Sequence, residues 1–268
     1  MNDRLDDDVT VAPTQRFCGR CGAALYPEDA GCARCMQADA DLEEQQSASP
    51  VADDRPSFKL AMVLFGVLLA SFLPFMLIHL EDDTQFIYAI EHFVQVFDAL
   101  LVLGFVAYCW QTMWPLFKTI PVNWCLAAIP TGVGTVTMAL VFSWALLQVT
   151  GLVDESYYVV PAFEAGYGWT YLILSIVIQP AIIEELAFRG VIFDGVRKVL
   201  SDRETIIVTG LMFMVLHIAA LGMFPVLLLM GLILGWLRLK TGSIWPCILL
   251  HATHNGLVLV YEYWMFYA

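Results

Sequence analysis

The sequence lacks the signatures of several large protein classes. It contains no phosphate-binding glycine loop, and its basic residues do not form a stripe interleaved with aromatic residues, so nucleotide and nucleic-acid binding are set aside as functions. The serine-hydrolase motif G-x-S-x-G is also missing, and no cysteine placed near a histidine suggests a nucleophile. No internal repeat relates the two halves of the chain, which disfavours a transporter.

The chain is rich in apolar sequence instead. Hydrophobic residues make up 59% of its 268 residues, the mean hydropathy is +0.71, and several apolar runs approach the length of about 20 residues that crosses a bilayer. The composition therefore predicts an all-α multi-pass membrane protein rather than a soluble fold.

Charge is concentrated in the first 58 residues. This head holds 12 acidic and 5 basic residues, so an acidic solvated segment explains much of the net charge of −13 without a basic partner. Residues 1–16 are polar and acidic with no apolar core, so they predict a disordered lead rather than a cleavable signal. We therefore expect the head to stay on the side of the membrane where it is made.

Residues 17–36 contain two C-x-x-C pairs. This spacing lets four thiolates converge tetrahedrally on one ion, and it predicts a zinc ribbon; two disulfides or a redox pair are the alternatives, which a reducing cytosol disfavours. The segment resembles the short zinc ribbons at the front of many bacterial membrane proteins, which implies a structural zinc and a possible protein partner. The four predicted ligands are Cys18, Cys21, Cys32 and Cys35.

A Ser-, Pro- and acid-rich linker (37–58) precedes the predicted membrane domain (59–268). Seven transmembrane helices are predicted, and Pro130 and Gly132 are expected to bend the third. The second is interrupted by Glu91 and Asp98, so its first turns could lie along the interface. The predicted spans are about 59–79, 89–112, 122–150, 168–189, 205–221, 223–240 and 244–264.

The distribution of basic residues gives the predicted orientation. With the head in the cytoplasm, all 13 Lys and Arg residues fall on the cytoplasmic side, as the positive-inside rule requires. The outer loops then carry only acidic residues, such as Glu81, Asp82, Asp83, Asp154, Glu155 and Glu164. We therefore predict a multi-pass protein of the cell membrane with a cytoplasmic N-terminus.

Three apolar stretches contain polar groups that are costly at membrane depth, so each is a functional candidate. In the first stretch, Ile183–Gly190, Glu185 and Arg189 are four residues apart and can pair on one helix face. Glu184 points about 100° away, which makes it the better candidate for a general base. The other two stretches are Phe213–His217 and His251–Asn255, whose end residues share a helix face. Alternatively, each polar residue only satisfies a neighbouring helix.

These groups together suit amide hydrolysis without a covalent intermediate. A carboxylate and an imidazole can activate a water, while a second histidine and an asparagine amide can stabilise a developing oxyanion. Counting along the predicted spans places His217 at about 18 Å from the cytoplasmic side and Glu184 at under about 10 Å. A helix tilt, a kink at Pro180 or different span ends would bring them together.

At these residues the chain resembles the CAAX prenyl protease and bacteriocin-processing membrane proteins, also called the Abi family. The family motifs E-E-x-x-x-R, F-x-x-x-H and H-x-x-x-N occur in that order at Glu184–Arg189, Phe213–His217 and His251–Asn255. The resemblance covers about residues 165–262. It implies an α-helical intramembrane endopeptidase of the CAAX type that acts on a peptide or membrane-protein substrate.

The resemblance also implies roles for individual residues. Glu184 and His217 would activate water, and His251 and Asn255 would form the oxyanion site, with no metal needed for catalysis. The implied site consists of four catalytic residues, Glu184, His217, His251 and Asn255, and three supporting residues, Glu185, Arg189 and Phe213. His254 lies outside the family pattern and is expected to be a spare polar contact or, as an alternative, a metal ligand.

Two alternatives to a metal-independent protease follow from the residues. One is a zinc-dependent protease with Glu184, His217 and His251 as ligands, although the sequence lacks the H-E-x-x-H helix. The other is a non-catalytic membrane adaptor or immunity protein, in which the ribbon captures a partner and the polar groups only fasten helices.

Overall fold

The structure is a computed structural model that describes residues 16–18, 21, 23–25, 31–37, 56–78, 84–151, 156–217 and 222–268. The chain divides into two compact units, Met1–Asp53 and Asp54–Ala268. The predicted acidic lead (1–16) and linker (37–58) lie mostly outside the described residues. The predicted domain boundaries therefore stay predictions.

The first unit contains a small antiparallel hairpin. Strand β1 (Arg16–Phe17) pairs with β2 (Ala24–Leu25), and Phe17 is in register with Ala24. A short helical turn follows at 33–37. Cys18 and Cys21 lie between β1 and β2, Cys32 immediately precedes the helical turn, and Cys35 lies within it.

The second unit is all helical in its described residues, apart from connecting turns. Its main helices are α1 (Phe58–Ile78), α2 (Thr84–Tyr108), α3 (Val122–Thr150), α4 (Val159–Glu164), α5 (Trp169–Val196), α6 (Asp202–Leu216), α7 (Phe224–Thr241) and α8 (Trp245–Glu262). Two short helices, Trp110–Met113 and Trp114–Phe117, lie between α2 and α3, and Tyr263–Tyr267 extends α8.

In its described residues, each of the seven predicted spans overlaps one of these helices. Among the described residues, four helical stretches are long and apolar enough to cross a membrane: Phe86–Tyr108, Val122–Thr150, Trp169–Val196 and Phe224–Thr241. Large apolar side chains also face outwards; Val141 and Trp144 of α3 are 61% and 64% exposed. Exposing such side chains to water is unfavourable, whereas contact with lipid is not. The predicted all-α multi-pass membrane fold is thus confirmed, and the number seven stays a prediction.

Local sequence sets several helix ends. Ser201 and Glu204 form a reciprocal capping box at the start of α6, and proline occupies the first turn of both α7 and α8. Glycine ends α3 and α7, where Gly151 and Gly242 adopt φ of 70° and 60°, a conformation that side chains disfavour. Helix α3 continues through Pro130.

Small residues bring helices close together around the polar centre. A Cβ at Gly132 of α3 would lie 2.9 Å from Thr253 Cβ of α8, and one at Gly231 of α7 would lie 2.9 Å from Gly210 Cα of α6. In lipid there is no hydrophobic driving force between helices, and close backbone packing of this kind stabilises their association instead. The largest apolar cluster joins α1, α2, α5 and α6 through residues that include Leu64, Val102, Phe188 and Phe213.

Candidate active site

Helix α5 carries the first motif and is not a regular α-helix. It is π-helical at Ile173–Ile178 and again at Leu186–Ile192, with an α-helical segment, Gln179–Glu185, between them. The kink residue expected from the sequence, Pro180, lies at the start of that middle segment. The wider π turns displace backbone hydrogen bonds, so some carbonyls of α5 become available to side chains of other helices.

Glu184 faces His217 across the gap between α5 and α6. The carboxylate Oε2 of Glu184 lies 3.7 Å from Nε2 of His217, and both side chains are about one-quarter exposed. Glu184 Oε2 is itself buried and has no hydrogen-bond partner. His217 follows the last residue of α6 as its C-cap. The short distance between the two side chains shows that the mismatch in depth suggested by residue counting is not present.

The tautomer of His217 follows from its other contact. Its Nδ1 lies 2.8 Å from the carbonyl oxygen of Phe213. A carbonyl only accepts hydrogen bonds, so Nδ1 carries the proton and donates. In the neutral ring, Nε2 is then an acceptor that faces the carboxylate of Glu184.

Glu185 is buried in a charged network of its own. It is 0% exposed, and its Oε1 accepts hydrogen bonds from Arg189 Nη1 at 3.2 Å and from His251 Nδ1 at 2.9 Å. Arg189 is 1% exposed and also donates through Nη2 to the Gly231 carbonyl at 3.2 Å. The expected pairing of Glu185 with Arg189 is therefore present, and His251 is a further partner that spacing alone did not reveal.

Phe213 packs at the centre of these groups. It is 1% exposed, its ring centroid lies 4.6 Å from that of His217 and 6.0 Å from that of His251, and the Arg189 guanidinium lies 4.7 Å from the ring. A cation over a ring face is attracted to it. This buried position suits a packing role for Phe213.

Asn255 is tied to the irregular part of α5. Its Nδ2 donates to the carbonyl of Ile176 at 2.8 Å. In an α-helix that carbonyl would accept from residue 180, which here is proline and has no N–H. One Nδ2 hydrogen of Asn255 therefore bonds to α5, and this contact does not use the second Nδ2 hydrogen.

His254 holds α8 against α3. Its Nδ1 lies 2.9 Å from Thr135 Oγ1, and that hydroxyl donates to the Gly132 carbonyl at 2.8 Å. Because the hydroxyl proton is already used, His254 is the donor. This contact matches the structural role among the two expected for His254.

The residues proposed as ligands of a catalytic zinc do not converge in the described part of the chain. There, only the cysteine group brings three or more His, Cys, Asp or Glu ligand atoms within 4.8 Å of one another. Glu184 and His217 form one pair, and Glu185 and His251 form another. This arrangement does not fit a three-ligand metal centre built from Glu184, His217 and His251.

The four cysteine sulfurs do fit one metal ion. The Sγ atoms of Cys18 and Cys35 are 3.7 Å apart, and those of Cys21 and Cys32 are 3.5 Å apart. A tetrahedral zinc with Zn–S bonds of about 2.3 Å would separate its sulfurs by about 3.8 Å. The predicted ligand set is therefore compatible with a zinc ribbon.

Three other polar residues near the site were not predicted as part of it. Asp98 of α2, noted in the sequence only as an interruption, has a buried Oδ1 without a hydrogen-bond partner and lies within electrostatic range of Glu184. Asp194 and Arg238 form a buried ion pair, with Nη2 at 3.0 Å from Oδ1. The charge pattern had placed Arg238 at the cytoplasmic face, and nothing in the sequence links it to Asp194.

The fold and these contacts define a multi-pass membrane protein with a buried centre of carboxylate, imidazole, guanidinium and amide groups. Comparison with known families gives a match to the family described as Type II CAAX prenyl endopeptidase Rce1-like, over residues 164–257. That segment contains all three motifs and is similar to a family of CAAX-type endopeptidases, so the resemblance seen in the sequence is confirmed. No curated protein and no solved structure gives a significant match.

Proposed function

We propose that this protein is an intramembrane endopeptidase that hydrolyses a peptide bond with water activated by Glu184 and His217. The observation that carries the proposal is the buried, unpartnered Oε2 of Glu184 at 3.7 Å from His217 Nε2. An unpartnered carboxylate oxygen inside a membrane protein is costly unless a ligand or water completes it. The family match to CAAX-type endopeptidases supports the same reaction class.

The geometry of this pair suits one water molecule. Both facing atoms are acceptors when His217 is neutral, so they need a donor between or beside them. Two atoms 3.7 Å apart can each lie about 2.8 Å from a single water oxygen placed to one side of the line that joins them. Such a water donates one hydrogen to Glu184 and the other to His217, and its lone pairs face away from both.

The reaction then proceeds by general-base catalysis. Glu184 takes a proton from the water while the water oxygen attacks the carbonyl carbon of the substrate peptide bond. The resulting tetrahedral intermediate carries the negative charge on the former carbonyl oxygen. When the C–N bond breaks, the protonated Glu184 returns the proton to the leaving amine, and the products are a carboxylic acid and an amine.

We assign stabilisation of the oxyanion to His251 and Asn255. Glu185 fixes the His251 ring by accepting from Nδ1, and Nε2 on the opposite side of the ring donates to the oxyanion when the ring is in its doubly protonated imidazolium form. The Ile176 carbonyl fixes the Asn255 amide through one hydrogen, which leaves the other hydrogen as a donor. Donors held in place before the reaction stabilise developing charge without reorganisation.

The decisive experiment is a cleavage assay on a quenched peptide library, or a comparison of protein termini in cells, with wild type beside Glu184→Gln. The amide is close in shape to the carboxylate but cannot accept the proton, so we expect kcat/KM to fall by at least about 100-fold. The matched control is Glu164→Gln, at an exposed position outside the site. Cleavage by a folded Glu184→Gln protein at the wild-type rate would overturn the proposal.

We also propose that the ribbon binds one structural zinc and that the protein resides in the cell membrane with this ribbon in the cytoplasm. The sulfur spacing supports the first point, and the position of the 13 basic residues supports the second. A four-cysteine site has no open coordination position, so the Cys18→Ser, Cys21→Ser double variant should retain the chemistry. Loss of cleavage in that variant, with the membrane domain intact, would contradict a purely structural zinc.

A further inference from the structure

The ion pair between Asp194 and Arg238 takes no part in the proposed chemistry, yet it contacts the helix that carries the site. Both residues are 5% exposed. Nη2 of Arg238 lies 3.0 Å and 3.2 Å from the two carboxylate oxygens of Asp194, and its guanidinium lies 5.5 Å from the ring of Phe193. A buried charge pair needs full hydrogen bonding to be tolerated, and these contacts supply part of it.

The third contact of Arg238 reaches the first motif directly. Its Nε donates to the backbone carbonyl of Arg189 at 2.8 Å. In an α-helix that carbonyl would accept from the N–H of Phe193, but here this N–H is directed to the carbonyls of Phe188 and Gly190. The π-helical segment thus offers the Arg189 carbonyl to a side chain of α7, and Arg238 binds it.

From Arg189 the contacts continue to the proposed oxyanion site. The Arg189 guanidinium donates to Glu185 Oε1 at 3.2 Å, and the same oxygen accepts from His251 Nδ1 at 2.9 Å. Every residue in this series is at most 5% exposed. The series therefore joins Asp194 and Arg238 to His251 through buried, directional hydrogen bonds.

We propose that Arg238, oriented by Asp194, is a positioning residue that holds the π-helical segment of α5 so that Arg189 and Glu185 fix the His251 ring. This inference rests on the proposed function for its catalytic consequence. Arg238 contacts Arg189 only through the backbone, so it acts through the geometry of the segment.

The competing explanation is that the pair only fastens α7 to α5. The variant Arg238→Lys distinguishes the two explanations. Lysine keeps the positive charge near Asp194 but lacks the planar guanidinium that binds the Asp194 carboxylate and the Arg189 carbonyl at the same time. Arg238→Met combined with Asp194→Leu removes both charges with side chains of similar size, which avoids leaving an unpaired buried ion. Arg197→Lys is the matched control, since Arg197 pairs with Asp202 at 2.6 Å in an exposed position.

The experiment measures kcat, KM and thermal unfolding of each variant in detergent micelles. A second readout is independent of activity: carbethoxylation of His251 by diethyl pyrocarbonate, followed by mass spectrometry, with His254 on the same helix as the internal reference. For Arg238→Lys we expect kcat to fall by about 10- to 100-fold with little change in KM, and the His251 labelling rate to rise several-fold relative to His254. The double apolar variant should show the same changes with wild-type thermal stability.

Two outcomes would overturn the positioning role. The first is wild-type kcat in the double apolar variant; the second is unchanged His251 labelling in Arg238→Lys, whatever its unfolding temperature. If wild type cleaves no peptide, or Glu184→Gln cleaves as well as wild type, the proposed function fails, and the labelling readout still decides whether Arg238 positions His251.

Discussion

Gly231→Ala should weaken both the fold and the site, because Gly231 lies where α7 crosses α6 and also bonds Arg189. An added Cβ would lie 2.9 Å from Gly210 Cα and 3.1 Å from Gly210 O. Both atoms belong to the backbone, so neither can rotate away. Carbon atoms pack at about 3.5–4.0 Å, so the two helices must separate by about 0.6 to 1 Å.

The size of the effect follows from two opposing terms. Replacing glycine by alanine inside a helix stabilises it by about 1 kcal/mol, while overpacking typically costs about 1–3 kcal/mol. The expected net loss is therefore up to about 2 kcal/mol. The Gly231 carbonyl also accepts from Arg189 Nη2 at 3.2 Å, already at the long end for an N–H to oxygen bond, so a displacement of α7 breaks it and lowers kcat.

The assay compares thermal unfolding and kcat with those of two control variants. In Gly235→Ala, on the same helix, the nearest atom to the new Cβ is Ile206 Cγ2 at 3.4 Å, which is ordinary contact. In Gly134→Ala the Cβ has nothing within 4 Å. Both controls should unfold at or above the wild-type temperature with wild-type kcat. If Gly231→Ala behaves like Gly235→Ala, the close crossing does not determine stability and the reasoning is wrong.

Three further results are expected. Asn255→Asp should lower the unfolding temperature more than Asn255→Leu, because a carboxylate would face the Ile176 carbonyl oxygen in place of a donor at 2.8 Å; equal unfolding temperatures would contradict this contact. Hydrogen bonds from the Ser201 side chain and then its backbone N–H lower the pKa of Glu204, so the cap contributes stability above the ordinary glutamate pKa and loses it as the pH falls through the lowered value. Ser201→Ala should therefore lower the unfolding temperature clearly at neutral pH and much less in acid, and a pH-independent difference would argue against the linkage. Elemental analysis should find one zinc per wild-type chain and none in Cys18→Ser, Cys21→Ser, with Glu184→Gln as the control that retains its zinc.

Apolar patterning was enough to predict where the helices lie. Helix α3 has the predicted bounds, 122–150, because a long apolar run ended by glycine leaves little choice. The π-helical segments of α5 were not predicted, since one extra residue per turn over six or seven residues is too short to change the hydrophobic period. Those segments determine which backbone carbonyls Arg238 and Asn255 bind, so these two contacts could not be predicted from the sequence either.

Within the site, sequence reasoning predicted contacts between near neighbours and missed most contacts between distant ones. The pairing of Glu185 with Arg189 follows from helical spacing. The bond from His251 to Glu185 spans 66 residues, and the pair of Arg238 with Asp194 spans 44. No spacing rule predicts either contact. Arg238 was assigned to the cytoplasmic side by the positive-inside rule, which counts a charge without asking whether it is buried or paired.

The two adjacent glutamates have different partners, which supports the proposal that Glu184 is a base and Glu185 a structural carboxylate. Glu185 is fully buried, and its Oε1 accepts from a guanidinium and an imidazole, while its Oε2 has no hydrogen-bond partner. Its carboxylate therefore holds two neighbouring side chains in place. Glu184, about 100° around the helix, presents an oxygen without a protein partner to an imidazole nitrogen that is itself an acceptor. Only a molecule that donates hydrogen bonds can complete that pair, and water is the donor that hydrolysis requires. The division of roles between Glu184 and Glu185 therefore follows from their different partners, since the two side chains have the same chemistry.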